Sequence, residues 1–146
     1  KGGMFHYYDG EPRVSGLLAD QIHMGLSLLE AYGLTQEKIY LDRAKDLAEF
    51  ILGSFKNPAG GFFDISESGL AHLQYRLTVL SQNGSAATFF LRLSEVSKEE
   101  GYREEARWAL SAFSGDFETY GVHAAEFGRA LVAYFDDLAK STTASR

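Results

Sequence analysis

Residues 17–55 read LLADQIHMGLSLLEAYGLTQEKIYLDRAKDLAEFILGSF, and their spacing predicts two antiparallel helices joined by a linker at Gly33-Leu34-Thr35-Gln36. At 100° per residue, Leu18, Ile22, Gly25, Leu26, Leu29 and Tyr32 of the first helix share one face. Leu17, Met24 and Leu28 widen that apolar arc, so only Asp20, His23, Ser27 and Glu30 form a polar strip. A helix with so narrow a wet side is enclosed by neighbours on most of its circumference. The second helix is ordinarily amphipathic. Leu41, Ala44, Leu47, Ala48, Ile51, Leu52 and Phe55 point inward, and Asp42, Arg43, Lys45, Asp46 and Glu49 face water.

The same unlike pair returns 62 positions later. Asn83–Val96 is apolar nearly all round except for Thr88, Arg92 and Glu95, and Tyr102–Phe113 is amphipathic again. A fifth helix, Val122–Ala139, reads as a buried one, which makes the order inner, outer, inner, outer, inner. The loops repeat too: Gly60-Gly61-Phe62-Phe63-Asp64 echoes the Gly2-Gly3 segment, and Gly115-Asp116-Phe117 hints at a third copy. Lys1–Gly16 reads as a loop with a brief extended segment, and Asn83-Gly84 as a tight turn. Such hairpins build a two-layer, all-α repeat array, either a closed ring or an open superhelix. The enclosed inner helices favour the ring. At about 62 residues per unit, 146 residues hold barely two and a half units, so an unpaired flank and self-association through it are expected.

With 45% hydrophobic and 14% aromatic residues, one domain with a real core is expected over 1–139, followed by a polar tail at 140–146. The net charge of −6 argues against a nucleic-acid partner. The absence of cysteine removes disulfides, thiolate metal sites and redox dithiols from this segment. No apolar run approaches a membrane span and no signal peptide is visible, so a cytoplasmic segment without membrane contact is expected. The internal character of the first residues suggests a piece of a longer protein. No metal or cofactor is expected: His-x-x-x-His, calcium-loop, phosphate-loop and dinucleotide patterns are all missing.

The segments GMFHYYDGEPRVSGLLADQ, LLEAY, Tyr40–Ala44, GGFFD and LSQNGSAATFFLRLSEV, in that order, resemble one family. It is the C-terminal region of thioredoxin-domain-containing proteins of the bacterial YyaL and vertebrate spermatogenesis-associated type. The resemblance implies an N-terminal thioredoxin-like domain on the same parent chain. It further implies an (α/α)6-toroid similar to N-acylglucosamine 2-epimerases and six-hairpin glycosidases, of which this chain would be the last part. Asp20 stands where the family has the second of two acids, the first being Ala19 here. Asn83 matches the asparagine of a Pro-Ser-Gly-Asn-Ser-like turn, with Arg76 just upstream.

Two chemistries suit such a pocket. Glycoside hydrolysis needs two carboxylates across a sugar, and Asp9, Asp20 and Asp64 are candidates at one mouth of the ring. Epimerisation beside a carbonyl needs an acid and a base near neutrality, which suits His23 one turn after Asp20. Asp20, His23 and Asp64 are thus the catalytic candidates, and His6, Tyr7, Asp9, Arg76 and Asn83 the substrate-binding ones. Plainer roles compete for each. Asp20 can serve the helix N-terminus, Asp64 a turn, His23 a neighbouring helix, and the His6-Tyr7-Tyr8 run can plug its own loop. His72 and His123 read as structural or surface residues. The function expected is a carbohydrate-type toroid pocket, with a non-catalytic helical scaffold as the alternative.

Overall fold

The computed structural model describes residues 2–67 and 75–144. A two-stranded antiparallel hairpin, β1 (Phe5–Tyr8) and β2 (Pro12–Ser15), pairs Phe5 with Ser15 and Tyr7 with Arg13. Four helices follow: α1 (Leu18–Thr35), α2 (Lys38–Ser54), α3 (Leu80–Ser97) and α4 (Gly101–Ser111). A 3-10 segment over Phe117–Ala124 then leads into α5 (Ala125–Ala144). The inner helices are α1, α3 and α5. Each outer helix packs on the inner helix before it, α2 on α1 and α4 on α3, while α3 also touches α1 and α5. This is an all-α array of helical hairpins with alternating inner and outer helices and short extended Gly-rich loops, the arrangement of a toroid wall.

Phe62, Phe89 and Phe90 fill the centre of the core, with Phe62 stacked on Phe90 at 5.5 Å between ring centroids. Successive inner helices approach closely at glycines. Phe89 of α3 sits on Gly25 of α1, where a Cβ would come within 2.6 Å of the ring. Gly84 of α3 receives the backbone of α5, where a Cβ would lie 2.8 Å from the Phe127 Cα.

Five expectations are corrected. The Gly33–Gln36 linker is mostly helix: α1 runs to Thr35 and reverses at Gln36, whose left-handed backbone (φ 58°) lets its N–H donate to the Tyr32 carbonyl. Asn83-Gly84 is no tight turn but part of the first turns of α3, which begins at Leu80. There the Asn83 amide serves the helix start, and Gly84 serves the contact with α5. The fifth helix starts late because Gly121 (φ 54°, ψ −130°) breaks the path. Nor is it enclosed: Phe127, Ala130 and Tyr134 are buried, but Val132 and Phe135 are 62% and 60% exposed. Among the described residues no helix covers that flank. The helix also continues to Ala144, past the position where a polar tail was expected. His72 lies outside the described residues.

Candidate functional site

The three inner helices bring their first turns to one end of the array. Ala19, Ile22 and His23 of α1, Ser81, Gln82 and Ser85 of α3, and Glu126 of α5 line a cleft of about 150 Å³ there. The opposite halves of the helices also meet, with Arg92 of α3 paired to Glu30 of α1 at 2.8 Å. The polar strips of the inner helices therefore lie along a common side, and the cleft is at its N-terminal end. Anions are favoured at that end by the unpaired amides of the first turns. The Oε1 of Gln82 is shut off from solvent with no hydrogen-bond donor among the described residues. An acceptor so placed costs about 1–3 kcal/mol unless a water or a ligand supplies the donor.

Beside the cleft, the β-hairpin folds over the start of α1. His6 Nδ1 stands 3.1 Å from both carboxylate oxygens of Asp20. The carboxylate thus orients His6; it was expected to orient His23, which is exposed and lines the cleft without a hydrogen bond to its ring among the described residues. With Nδ1 engaged, the second nitrogen of His6 is left for a ligand or water. Tyr7 and Tyr8 follow on the same strand, 52% and 74% exposed, and Asp9 sits exposed at the hairpin turn, its N–H donating to the Glu11 carbonyl at 3.1 Å.

The remaining candidates hold the second Gly-rich loop. Asn83 is fully buried: its Oδ1 accepts the Phe62 N–H at 2.8 Å, while Nδ2 donates to the carbonyls of Phe62 and Val79 at 3.0 Å each. Arg76 donates to the carbonyls of Ile65 and Ser54 at 3.0 Å each and lies 4.1 Å over the Phe63 ring. The Asp64 carboxylate accepts the Leu77 N–H at 2.8 Å. Asp20, His6 and Tyr7 are gathered at the hairpin and His23 at the cleft, whereas Asp64, Arg76 and Asn83 tie the loop between α2 and α3.

Sequence reasoning passed over two residues. Gln21 is buried and does for Met4 what Asn83 does for Phe62: Oε1 accepts the Met4 N–H at 2.6 Å, and Nε2 donates to the carbonyls of Met4 and Leu17. The 62-residue offset from Gln21 to Asn83 was the signal available. Glu126 is the other. It stands in the first turn of α5 as Asp20 does in α1, a match hidden while the helix was taken to start at Val122.

An array of inner and outer helical hairpins, with carboxylates and hydroxyls gathered where the inner helices begin, defines a toroid of the glycosidase kind. The family model described as glycosyl hydrolase family 47 matches residues 22–125, more than half of the chain, and the chain belongs to that family. It is similar to the mannosyl-oligosaccharide 1,2-alpha-mannosidase MNS1 of Arabidopsis thaliana, with 26% identity over 101 residues covering 65% of this chain and 18% of the relative. The mannosyl-oligosaccharide 1,2-alpha-mannosidase mans-2 of Caenorhabditis elegans is 28% identical over 86 residues, 55% of this chain and 15% of the relative. The chain thus spans less than a fifth of the length of either relative. These matches carry the glycosidase-toroid relation and do not extend to a thioredoxin-domain parent.

Proposed function

We propose that this chain is an arc of a glycoside-processing toroid, with α-mannosides as the ligand class, and that the sugar ring enters at the N-terminal ends of α1, α3 and α5. The observation that supports this best is the convergence of Glu126, His23, Ser81 and Ser85, from three different helices, on one small cleft. Hydroxyls and a carboxylate around a space of about 150 Å³ suit one polyhydroxylated ring.

Glycoside cleavage needs an acid at the leaving oxygen and a second carboxylate that attacks the anomeric carbon or activates water. In this reading Glu126 is the carboxylate at the ring and Asp20, held by His6, is the second. His23 and Ser85 bind ring hydroxyls, and the exposed faces of Tyr7 and Tyr8 stack on the sugar. Asp64, Arg76 and Asn83 keep the neighbouring loop in place, and Asp9 borders the platform.

The test is a titration of the ¹⁵N-labelled chain with methyl α-mannopyranoside and α-1,2-mannobiose. Saturable shifts should appear at the amides of His23, Ser85 and Glu126, and Glu126→Gln should weaken binding at least tenfold. Shifts confined to other surfaces, or none at all, would reject the proposal.

A further inference from the structure

We infer that Gln82 is a specificity-determining residue of the polar cleft, where its side-chain oxygen accepts a hydrogen bond from one hydroxyl of the sugar ring; this rests on the glycoside reading above. Gln82 lines the cleft together with Ser81, Ser85 and Glu126. Its Oε1 is shut off from solvent and meets no donor among the described residues, although the residue as a whole is only half-buried. A turn about the side-chain bonds therefore carries the oxygen into the cleft. No hydrogen bond at that atom has to break among the described residues, and a ligand hydroxyl there supplies the one it lacks.

The repeat explains why this position stands open. Gln82 is the third residue of α3 as Asp20 is of α1, at the 62-residue offset that relates the two units. In the first unit the preceding loop supplies the partner, with His6 Nδ1 3.1 Å from both Asp20 oxygens. In the second unit the residue at the place of His6 is Asp64, whose carboxylate accepts the Leu77 N–H at 2.8 Å. An ionised carboxylate has no proton to give, so the loop that serves Asp20 cannot serve Gln82. The cleft is the side from which a donor can come. An amide at this place adds an acceptor beside Glu126 without adding a second charge, which suits a neutral hydroxyl. An analogue without that hydroxyl leaves the oxygen unpaired, and a site built in this way rejects it.

The test pairs one residue with one hydroxyl. Methyl α-mannopyranoside and its 2-, 3-, 4- and 6-deoxy analogues are titrated into the full ¹⁵N-labelled chain and into Gln82→Met, which keeps the side-chain length and removes the oxygen. For one analogue, the affinity lost relative to the parent sugar should be at least about tenfold greater in the unaltered chain than in Gln82→Met. The other three should lose equal amounts in the two chains, as independent contacts do. Gln82→Met should also melt no lower than the unaltered chain, because the oxygen it removes is unpaired. Equal losses in both chains for all four analogues would overturn the role of Gln82 and leave the glycoside reading standing. A melting temperature lowered by more than about 4 °C would overturn it as well, since the amide would then be holding the fold. Failure of methyl α-mannopyranoside to bind the unaltered chain would remove the glycoside reading and this inference together.

Discussion

The first two units of the array use one device and put it to different ends. In each, a side-chain amide one turn into the inner helix grips both the N–H and the carbonyl of a single loop residue. Gln21 grips Met4, and Asn83 grips Phe62. A glycine precedes each gripped residue because a side chain lies against it: Phe50 of α2 at Gly3, and Asn83 itself with Ala112, just past the end of α4, at Gly61. Beyond the grip the loops part company. The first turns outward as a hairpin with Tyr7 and Tyr8 in solvent and His6 on Asp20. The second runs inward, bridges Phe63 to Thr78, and commits Asp64 and Arg76 to its own backbone. Carboxylates at the mouths of neighbouring units thus play different parts, since Asp20 borders an open site while Asp64 closes a loop. The third unit has Gly128 where the amide would fall, and its loop is a 3-10 segment broken at Gly121.

The largest effect should come from Asn83→Ala. It leaves a buried N–H and carbonyl of Phe62 unpaired and should cost about 3 kcal/mol or more, read by urea denaturation. Gln21→Ala removes the matching grip, but Met4 lies nearer the surface, so the cost should be about 1–2 kcal/mol. That variant should also speed hydrogen exchange in residues 5–15 while leaving the helices protected. Equal losses for the two variants would break the comparison.

A second contrast is one of sign. Gly84→Ala drives a methyl into the α5 backbone and should destabilise by about 1–3 kcal/mol. Gly128→Ala meets nothing within 4 Å inside α5 and should stabilise by about 0.5–1 kcal/mol. Opposite outcomes in thermal melts would mean that α3 and α5 are not in the contact described.

The smallest effect concerns the seam between units, where Lys45 of α2 bonds Glu99 at 2.6 Å. That bond holds the lysine pKa above its ordinary value, so the stabilisation is present at neutral pH and is lost only as pH rises through the raised value. Lys45→Ala should cost no more than about 1 kcal/mol. The difference from the unaltered chain should stay constant between about pH 7 and 9 and shrink only in stronger alkali. A difference that faded before about pH 9 would contradict it.

Much of the architecture was legible because helix enclosure is written in periodicity. The narrow strip of His23, Ser27 and Glu30, and its counterpart of Thr88, Arg92 and Glu95, marked α1 and α3 as inner helices. The same reading misjudged α5, since apolar residues such as Val132 and Phe135 look identical whether a neighbour covers them or not. The site was less legible. Asp20 pairs with a residue fourteen positions back rather than with His23 three positions on, and no local pattern encodes that choice.

By itself the chain's order of residues determined the helices, their two kinds and the 62-residue repeat, because those follow from side-chain spacing along a 3.6-residue turn. Only the tertiary structure decided which polar residues meet. Whether an amide grips a loop, a carboxylate holds an imidazole, or Glu126 joins His23 across three helices depends on the distances between elements that are far apart in the chain.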